Sequence, residues 1–163
     1  DAVTPENKKR AGAIAIGVAA IAAPFEGLRQ VWYYDPPGVP TVCHGHTGPD
    51  VRRDKVYSIA ECKALLEGDA LRAVETVLRC VPNAPDSVAI AFGDAVFNIG
   101  PRIACDKANS TAARMLAVGD WTGACNQLPR WDKARVAGQM VTLPGLTRRR
   151  AAERDLCLSG VPS

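Results

Sequence analysis

Residues 25–48 read FEGLRQVWYYDPPGVPTVCHGHTG. The stretch sets an acid, Glu26, nine positions ahead of a second acid, Asp35, with Thr41 six positions further on. Between the acids stand Trp32, Tyr33 and Tyr34, half of the six Trp and Tyr residues of the chain. Pro36-Pro37-Gly38-Val39-Pro40 then makes a stiff turn that fixes where the next strand begins. Val42 to Thr47 suits a short β-hairpin region rather than a helix. Two carboxylates beside an aromatic run are what glycoside hydrolysis needs: one protonates the leaving oxygen, and the other activates water or attacks the sugar. Spacing alone carries little, because a Glu and an Asp nine apart occur by chance in most proteins. Each residue also has a plainer reading. Glu26 can be a surface charge on a helix, Asp35 a turn-former before two prolines, and Thr41 a β-branched strand residue. Burial of Glu26 beside the apolar segment before it would raise its pKa and keep it protonated as an acid.

The remaining 139 positions bound this reading. At 163 residues the chain has room for one compact domain with a real core, built as two lobes. A net charge of +3 is too small for a nucleic-acid binder and compatible with an anionic wall polymer. The six cysteines are scattered singly, with no C-x-x-C pair, which argues against a zinc ribbon or a thioredoxin-like motif. Their even number in a small domain points to disulfides and an oxidising compartment. Fifteen connectivities are open.

Ahead of the quoted stretch, Ala11 to Phe25 is a run of fifteen residues without a charge, preceded by Lys8, Lys9 and Arg10. As a helix it spans roughly 22 Å at 1.5 Å per residue, short of the ~30 Å hydrocarbon core of a bilayer. The basic flank would keep its start cytoplasmic and send the remainder outward. Three readings compete: a cleavable signal peptide with small residues near Ala20-Ile21-Ala22, an ordinary buried helix, and a marginal membrane anchor able to leave the bilayer.

Downstream the pattern is helical, broken by turns. Gly48-Pro49-Asp50 is a turn, and Val51 to Tyr57 reads as charged and exposed. Ser58 with Glu61 has capping-box spacing and starts a helix with Cys62, Leu65, Leu66, Ala70, Leu71, Val74, Val77 and Leu78 on one face. Pro82 and Pro85 end it, and Asp86 or Ser87 can cap the next helix, whose Val88 to Phe97 run is apolar nearly all round, as in a central core helix. Helices over 110–118, 121–131 and 148–158 complete the lobe. His44 and His46 beside Cys43 resemble a metal cluster by type only. On a strand Cys43 and His44 face opposite ways, and no acid or His nearby completes four ligands.

Glu26-Gly27, Asp35, Thr41 and Gly45-His46, in this order and spacing, resemble the catalytic pattern of the phage-type lysozymes, glycoside hydrolase family 24. The run Thr41 to Gly48 is similar to that of the signal-anchor-release endolysins of lambdoid phages. The similarity continues through Glu61 to Leu66, Asn98-Ile99-Gly100, Gly123 to Leu128 with Trp131, and Gly145 to Arg149, and ends at Glu153 and Cys157, so it covers nearly everything after residue 23. It implies an α+β, mostly helical fold, lysozyme-like, with a small β-hairpin lobe, a larger helical lobe and the active-site cleft between them. It implies two segments: residues 1–23 as a signal-anchor-release-like segment and residues 24–163 as a lysozyme-like catalytic domain.

The catalytic residues that the resemblance implies are Glu26 as general acid, Asp35 activating water and Thr41 holding that water, in a reaction that inverts the anomeric carbon. His46 would be structural and pair with an acid of the helical lobe. Arg148 and Arg149 would form ion pairs that order the last helix, whereas by composition Arg148 to Arg150 reads as a solvated helix start. The resemblance also favours the releasable anchor among the three N-terminal readings.

Three disulfides are expected, Cys43–Cys62, Cys80–Cys105 and Cys125–Cys157. The first and third use positions shared with the signal-anchor-release endolysins, while Cys80 and Cys105 depart from that pattern. The function implied is a muramidase that cleaves the β-1,4 bond between N-acetylmuramic acid and N-acetylglucosamine during host lysis. Its partners would be peptidoglycan and, before release, the inner membrane, with no nucleic acid. It would be exported to the periplasm, first tethered and then soluble, and act as a monomer with no cofactor and no metal. A lytic transglycosylase and a non-catalytic wall-binding, membrane-anchored module are the alternatives.

Overall fold

The computed structural model describes residues 2–162. Residues 1 and 163, the outer limits of the two segments expected from the sequence, lie outside the described residues.

The apolar run belongs to a longer helix, α1 (Pro5–Glu26). It starts six residues before Ala11 because the sequence carries a start signal there: the Thr4 hydroxyl accepts from the Asn7 N–H at 3.2 Å, and Pro5 occupies the first turn. One face, made by Ala11, Ile14, Ala15, Val18, Ala19 and Ala22, is buried. That spacing is the i, i+3, i+4 stripe of a core-facing helix. The other face is open, with Ile16 at 61% exposure. Asn7 Nδ2 donates to the Pro82 carbonyl at 2.9 Å and ties the start of α1 to the loop after the second helix. Among the described residues, no helix is long and apolar enough to cross a membrane.

Gly27, at φ +72°, ends α1 and turns the chain into β1 (Arg29–Tyr34). β1 pairs antiparallel with β2 (Pro40–Cys43), which pairs with β3 (His46–Thr47). This three-stranded sheet is the small lobe. The expectation that 51–57 is exposed fails at Tyr57, which is buried with Val42, Cys43 and Cys62 in a small core of its own. Its hydroxyl accepts from the Arg52 N–H at 3.0 Å.

The larger lobe begins with α2 (Ile59–Cys80), opened by the full Ser58/Glu61 capping box. α3 (Asp86–Ile99) is central, with eight buried residues from Val88 to Val96. Neither Asp86 nor Ser87 caps it. Pro85 stands at the cap position, and the Ser87 hydroxyl donates instead to the Cys157 carbonyl at 3.0 Å. Two glycine contacts bring α1 and α3 close: a Cβ on Gly17 would lie 2.9 Å from Ile90, and one on Gly93 2.8 Å from Val18.

Short helices α4 (Arg102–Cys105), α5 (Thr111–Ala117) and α6 (Trp121–Gln127) follow. A hairpin absent from the sequence reading, β4 (Lys133–Val136) and β5 (Gln139–Thr142), precedes α7 (Pro144–Ser159). α7 starts four residues before Arg148, because Pro144 at its first turn presets the helical φ. The three disulfides are Cys43–Cys62, Cys80–Cys105 and Cys125–Cys157.

Candidate active site

Glu26 is the last residue of α1 and lies at the junction of the two lobes. Arg149 of α7 donates from Nη1 to its Oε2 at 2.6 Å. Its other oxygen, Oε1, lies over Gly45, where a Cβ would come within 2.8 Å. Gly45 also has φ +78°, so both conformation and space call for glycine in the β2–β3 turn. A cleft of about 480 Å³ opens at Glu26, walled by Gly45 and Thr47 of the sheet, by α2 through Asp69 and Arg72, and by Phe97 and Asn98 at the end of α3. Glu26 is 20% exposed, open to this cleft and backed by a cation. The apolar surroundings expected for it from the sequence are replaced by that charge.

Asp35 and Thr41 are brought to each other and are not among the residues that wall the Glu26 cleft, but Thr41 pairs with Thr47, which is. Asp35 and Thr41 meet through one residue, Val39. The Val39 N–H donates to Asp35 Oδ1 at 2.7 Å, and the Thr41 hydroxyl donates to the Val39 carbonyl at 2.9 Å. Pro36, Pro37 and Gly38 (φ +89°) make this possible by folding the chain back on itself, with Gly38 N–H donating to the Asp35 carbonyl at 2.8 Å. Thr41 is buried, paired with Tyr33 on one side and Thr47 on the other. With its proton spent on Val39, its hydroxyl oxygen has only acceptor capacity left. Asp35 likewise keeps Oδ2 without a hydrogen bond among the described residues.

Behind Glu26 lies a buried ionic network. Arg149 makes a two-pronged contact to Asp94 of α3, Nε to Oδ2 at 2.9 Å and Nη2 to Oδ1 at 2.8 Å. Arg150 donates to Asn98 Oδ1 at 2.7 Å and to Glu153 Oε2 at 2.9 Å. Asp94, Arg150 and Glu153 are fully buried. Burial works against the charge of Arg149, yet Asp94 and Glu26 outweigh it and raise its pKa. Burial would likewise raise Asp94, and the hydrogen bonds of Arg149 and Glu153 bring it down instead. Desolvation first, then the hydrogen bond with Asp94, push Glu153 up to about 10.

A solvated start for 148–150 is therefore corrected: Arg149 and Arg150 face the core, because each has a carboxylate waiting there. The ion pairing expected of Arg148 is also corrected, since among the described residues Arg148 is exposed and has no ion-pair partner. Asp94, missed in the sequence, signalled itself as the one charge inside the Val88–Phe97 run.

His46 is buried and holds Asp69 of α2 through Nδ1 at 2.8 Å and Asp50 through Nε2 at 3.0 Å. Burial alone would lower its pKa, but the two carboxylates overcome it and raise it. With both ring nitrogens engaged and Cys43 in a disulfide, the 43–46 stretch has no ligand set to offer a metal. His44 bonds through Nδ1 to the Gly27 carbonyl and braces the turn after Glu26. Trp32 and Tyr34 share one face of β1, edge to face at 4.9 Å with Arg53 over the Trp32 ring, while Arg29 covers Tyr33.

Comparison with known proteins matches this arrangement to one family. The family described as "Phage lysozyme" matches residues 23–153. A SAR-endolysin of bacteriophage PS119 is 40% identical over 155 residues, covering 91% of this chain and 89% of the relative. The muramidase domain of SpmX from Asticaccaulis excentricus superposes with a TM-score of 0.75 at 32% identity, over 90% of this chain and 96% of that one. The active form of the P1 phage endolysin Lyz gives 0.74 at 25% identity, covering 98% and 96% of the two chains. The secreted inactive form of the same endolysin gives 0.56 at 26% identity, covering 92% and 94%. The chain belongs to the phage lysozyme family.

Proposed function

We propose that this endolysin hydrolyses the β-1,4 bond between N-acetylmuramic acid and N-acetylglucosamine in peptidoglycan, with Glu26, Asp35 and Thr41 as its catalytic residues. Glu26 gives the proton on Oε1 to the glycosidic oxygen, and the C1–O bond breaks. Water held by the Thr41 oxygen attacks C1 from the opposite face and loses its proton to Asp35, so the anomeric carbon inverts. Glu26 is left ionised against Arg149, which has the charge to receive it.

The observation that carries this reading is the state of the oxygens. Glu26 has one anchored and one facing the cleft, while Asp35 and Thr41 keep acceptor capacity on either side of Val39. Glu26→Gln keeps the shape and cannot deliver the proton, so lysis should fall by roughly 10²–10⁴-fold. The parent should release reducing, non-anhydro muropeptides. Anhydro products would point to transglycosylation, and full activity in Glu26→Gln would remove the mechanism.

We further propose that α1 (the core of the expected 1–23 segment) first serves as a membrane tether, with the enzyme exported to the periplasm and then released as a soluble monomer. Lys8, Lys9 and Arg10 ahead of a weakly apolar run support this, as do the names of the relatives. The closer likeness to the active than to the inactive form of the P1 endolysin supports reading the packed α1 as the released state.

A further inference from the structure

We propose that Arg72 recognises a carboxylate of the peptide stem carried by muramic acid, and so makes this cleft prefer stem-bearing glycan; the inference rests on the muramidase reading above. α2 turns one stripe toward the cleft that holds Glu26: Asp69, Arg72, Ala73 and Thr76, at the i, i+3, i+4, i+7 spacing of a single helix face. Arg72 is the one cation among the residues that line this cleft. Its side chain is 67% exposed and is nonetheless held through one nitrogen of its guanidinium. Nη2 donates to Asp69 Oδ1, and Asp69 Oδ2 in turn is bonded to His46 Nδ1 at 2.8 Å.

Two consequences follow from that chain of contacts. Asp69, which would repel an anion entering the cleft, has both oxygens occupied by positive or positively inclined partners. Arg72, for its part, is oriented by the half-buried Asp69 while the remaining donors of its five-donor fork have no partner among the described residues. A planar fork held in place with donors to spare is suited to a carboxylate. An exposed i, i+3 ion pair adds little to stability, so the fold has no evident need of an arginine here. The sugar backbone of the substrate is uncharged once the lactyl group of muramic acid is amide-linked to its peptide. The carboxylates that reach this wall are then those of the stem.

The test compares kcat and KM on intact peptidoglycan strands, on the same strands with carboxylates converted to methylamides, and on strands stripped by an amidase, which leaves a free lactyl carboxylate. The parent should favour intact strands over methylamidated ones by ~10-fold in kcat/KM, carried by KM, as expected for a charge-assisted hydrogen bond at a partly exposed site. Arg72→Gln should erase that preference and Arg72→Lys should keep part of it. An Arg72→Gln variant that retains the parent's preference overturns the proposal, and so does a uniform loss on all three substrates, which would mark a structural role. Full preference for amidase-stripped strands would overturn it as well, by assigning the recognised group to the lactyl arm. The muramidase reading is judged separately, from the products that the parent releases.

Discussion

Glu153 holds a proton in the buried network behind Glu26, where Asp94 is already the carboxylate that Arg149 grips in two prongs. Burial, aided by Asp94, sets the pKa of Glu153 near 10 against an ordinary 4.5. Between those values the folded chain keeps a proton that the unfolded chain releases, so stability falls as pH rises through the window, by up to ~1.4 kcal/mol per pH unit. Glu153→Gln retains a neutral donor to Asp94 and removes this slope. Denaturant midpoints from pH 5 to 9 should fall for the parent relative to the variant, and parallel curves would mean that Glu153 is ionised in the fold. His46 has the same sign from a different cause. Asp69 and Asp50 raise its pKa above 6.5 against the effect of burial, so their stabilisation is full below that value and fades as pH rises through the folded pKa. His46→Gln should cost roughly 1.5 kcal/mol or more at pH 5, and the difference should shrink at pH 9. At this scale the sequence was readable where a pattern of known chemistry stood in order, as at Glu26, Asp35, Thr41 and His46. It was opaque at Arg149 and Arg150, because three arginines in a row give no sign of which face the core until the carboxylates of α3 and α7 are in place.

Elements were legible where local chemistry alone decides them. Ser58-x-x-Glu61 is such a case, since both reciprocal bonds form within four residues. Ser58→Ala should lower stability by about 1 kcal/mol, measured as a shift in urea midpoint. The β4–β5 hairpin was invisible for a related reason. Its two-residue turn is Ala137-Gly138, at φ +50° and +84°, a left-handed pair that Asn-Gly or Asp-Gly would announce and Ala-Gly does not. Alanine there carries the steric penalty of the left-handed region. Ala137→Asn should therefore stabilise the protein by ~1 kcal/mol, a rise in Tm of about 2–4 °C for a chain of this size. A fall in Tm would show that Ala137 makes a contact worth more than its strain. The start of α3 was displaced for a tertiary reason: Ser87, a plausible cap by type, is drawn to the Cys157 carbonyl.

Across the whole molecule, covalent ties stop short of α1. Cys43–Cys62 ties the small sheet to α2, Cys80–Cys105 ties α2 to α4, and Cys125–Cys157 ties α6 to α7. α1 contains no cysteine and is held by packing, by Asn7 and Arg10 at its start and by Glu26 at its end. On the proposed reading it has two hosts, the bilayer and the helical lobe, and its small residues serve both: they make insertion weak and let α3 come close through Gly17 and Gly93. The two roles can be separated by face. Gly12, Ala13 and Ala20 lie on the exposed face, and a Cβ on Gly12 would meet nothing within 4 Å. Leucine at all three adds roughly 8 kcal/mol to insertion, taking ~0.8 kcal/mol per buried CH₂, without touching the core. The triple variant should stay in the membrane fraction and delay lysis until the membrane potential is collapsed, while the same protein, extracted and assayed on isolated peptidoglycan, should digest it at the parent's rate. Gly17→Leu is the contrasting case, because Ile90 already stands 2.9 Å from where its Cβ would be, so it should lose activity in both assays. A triple variant that lyses cells on the parent's schedule would show that α1 is a core helix alone and does not hold the enzyme at the membrane.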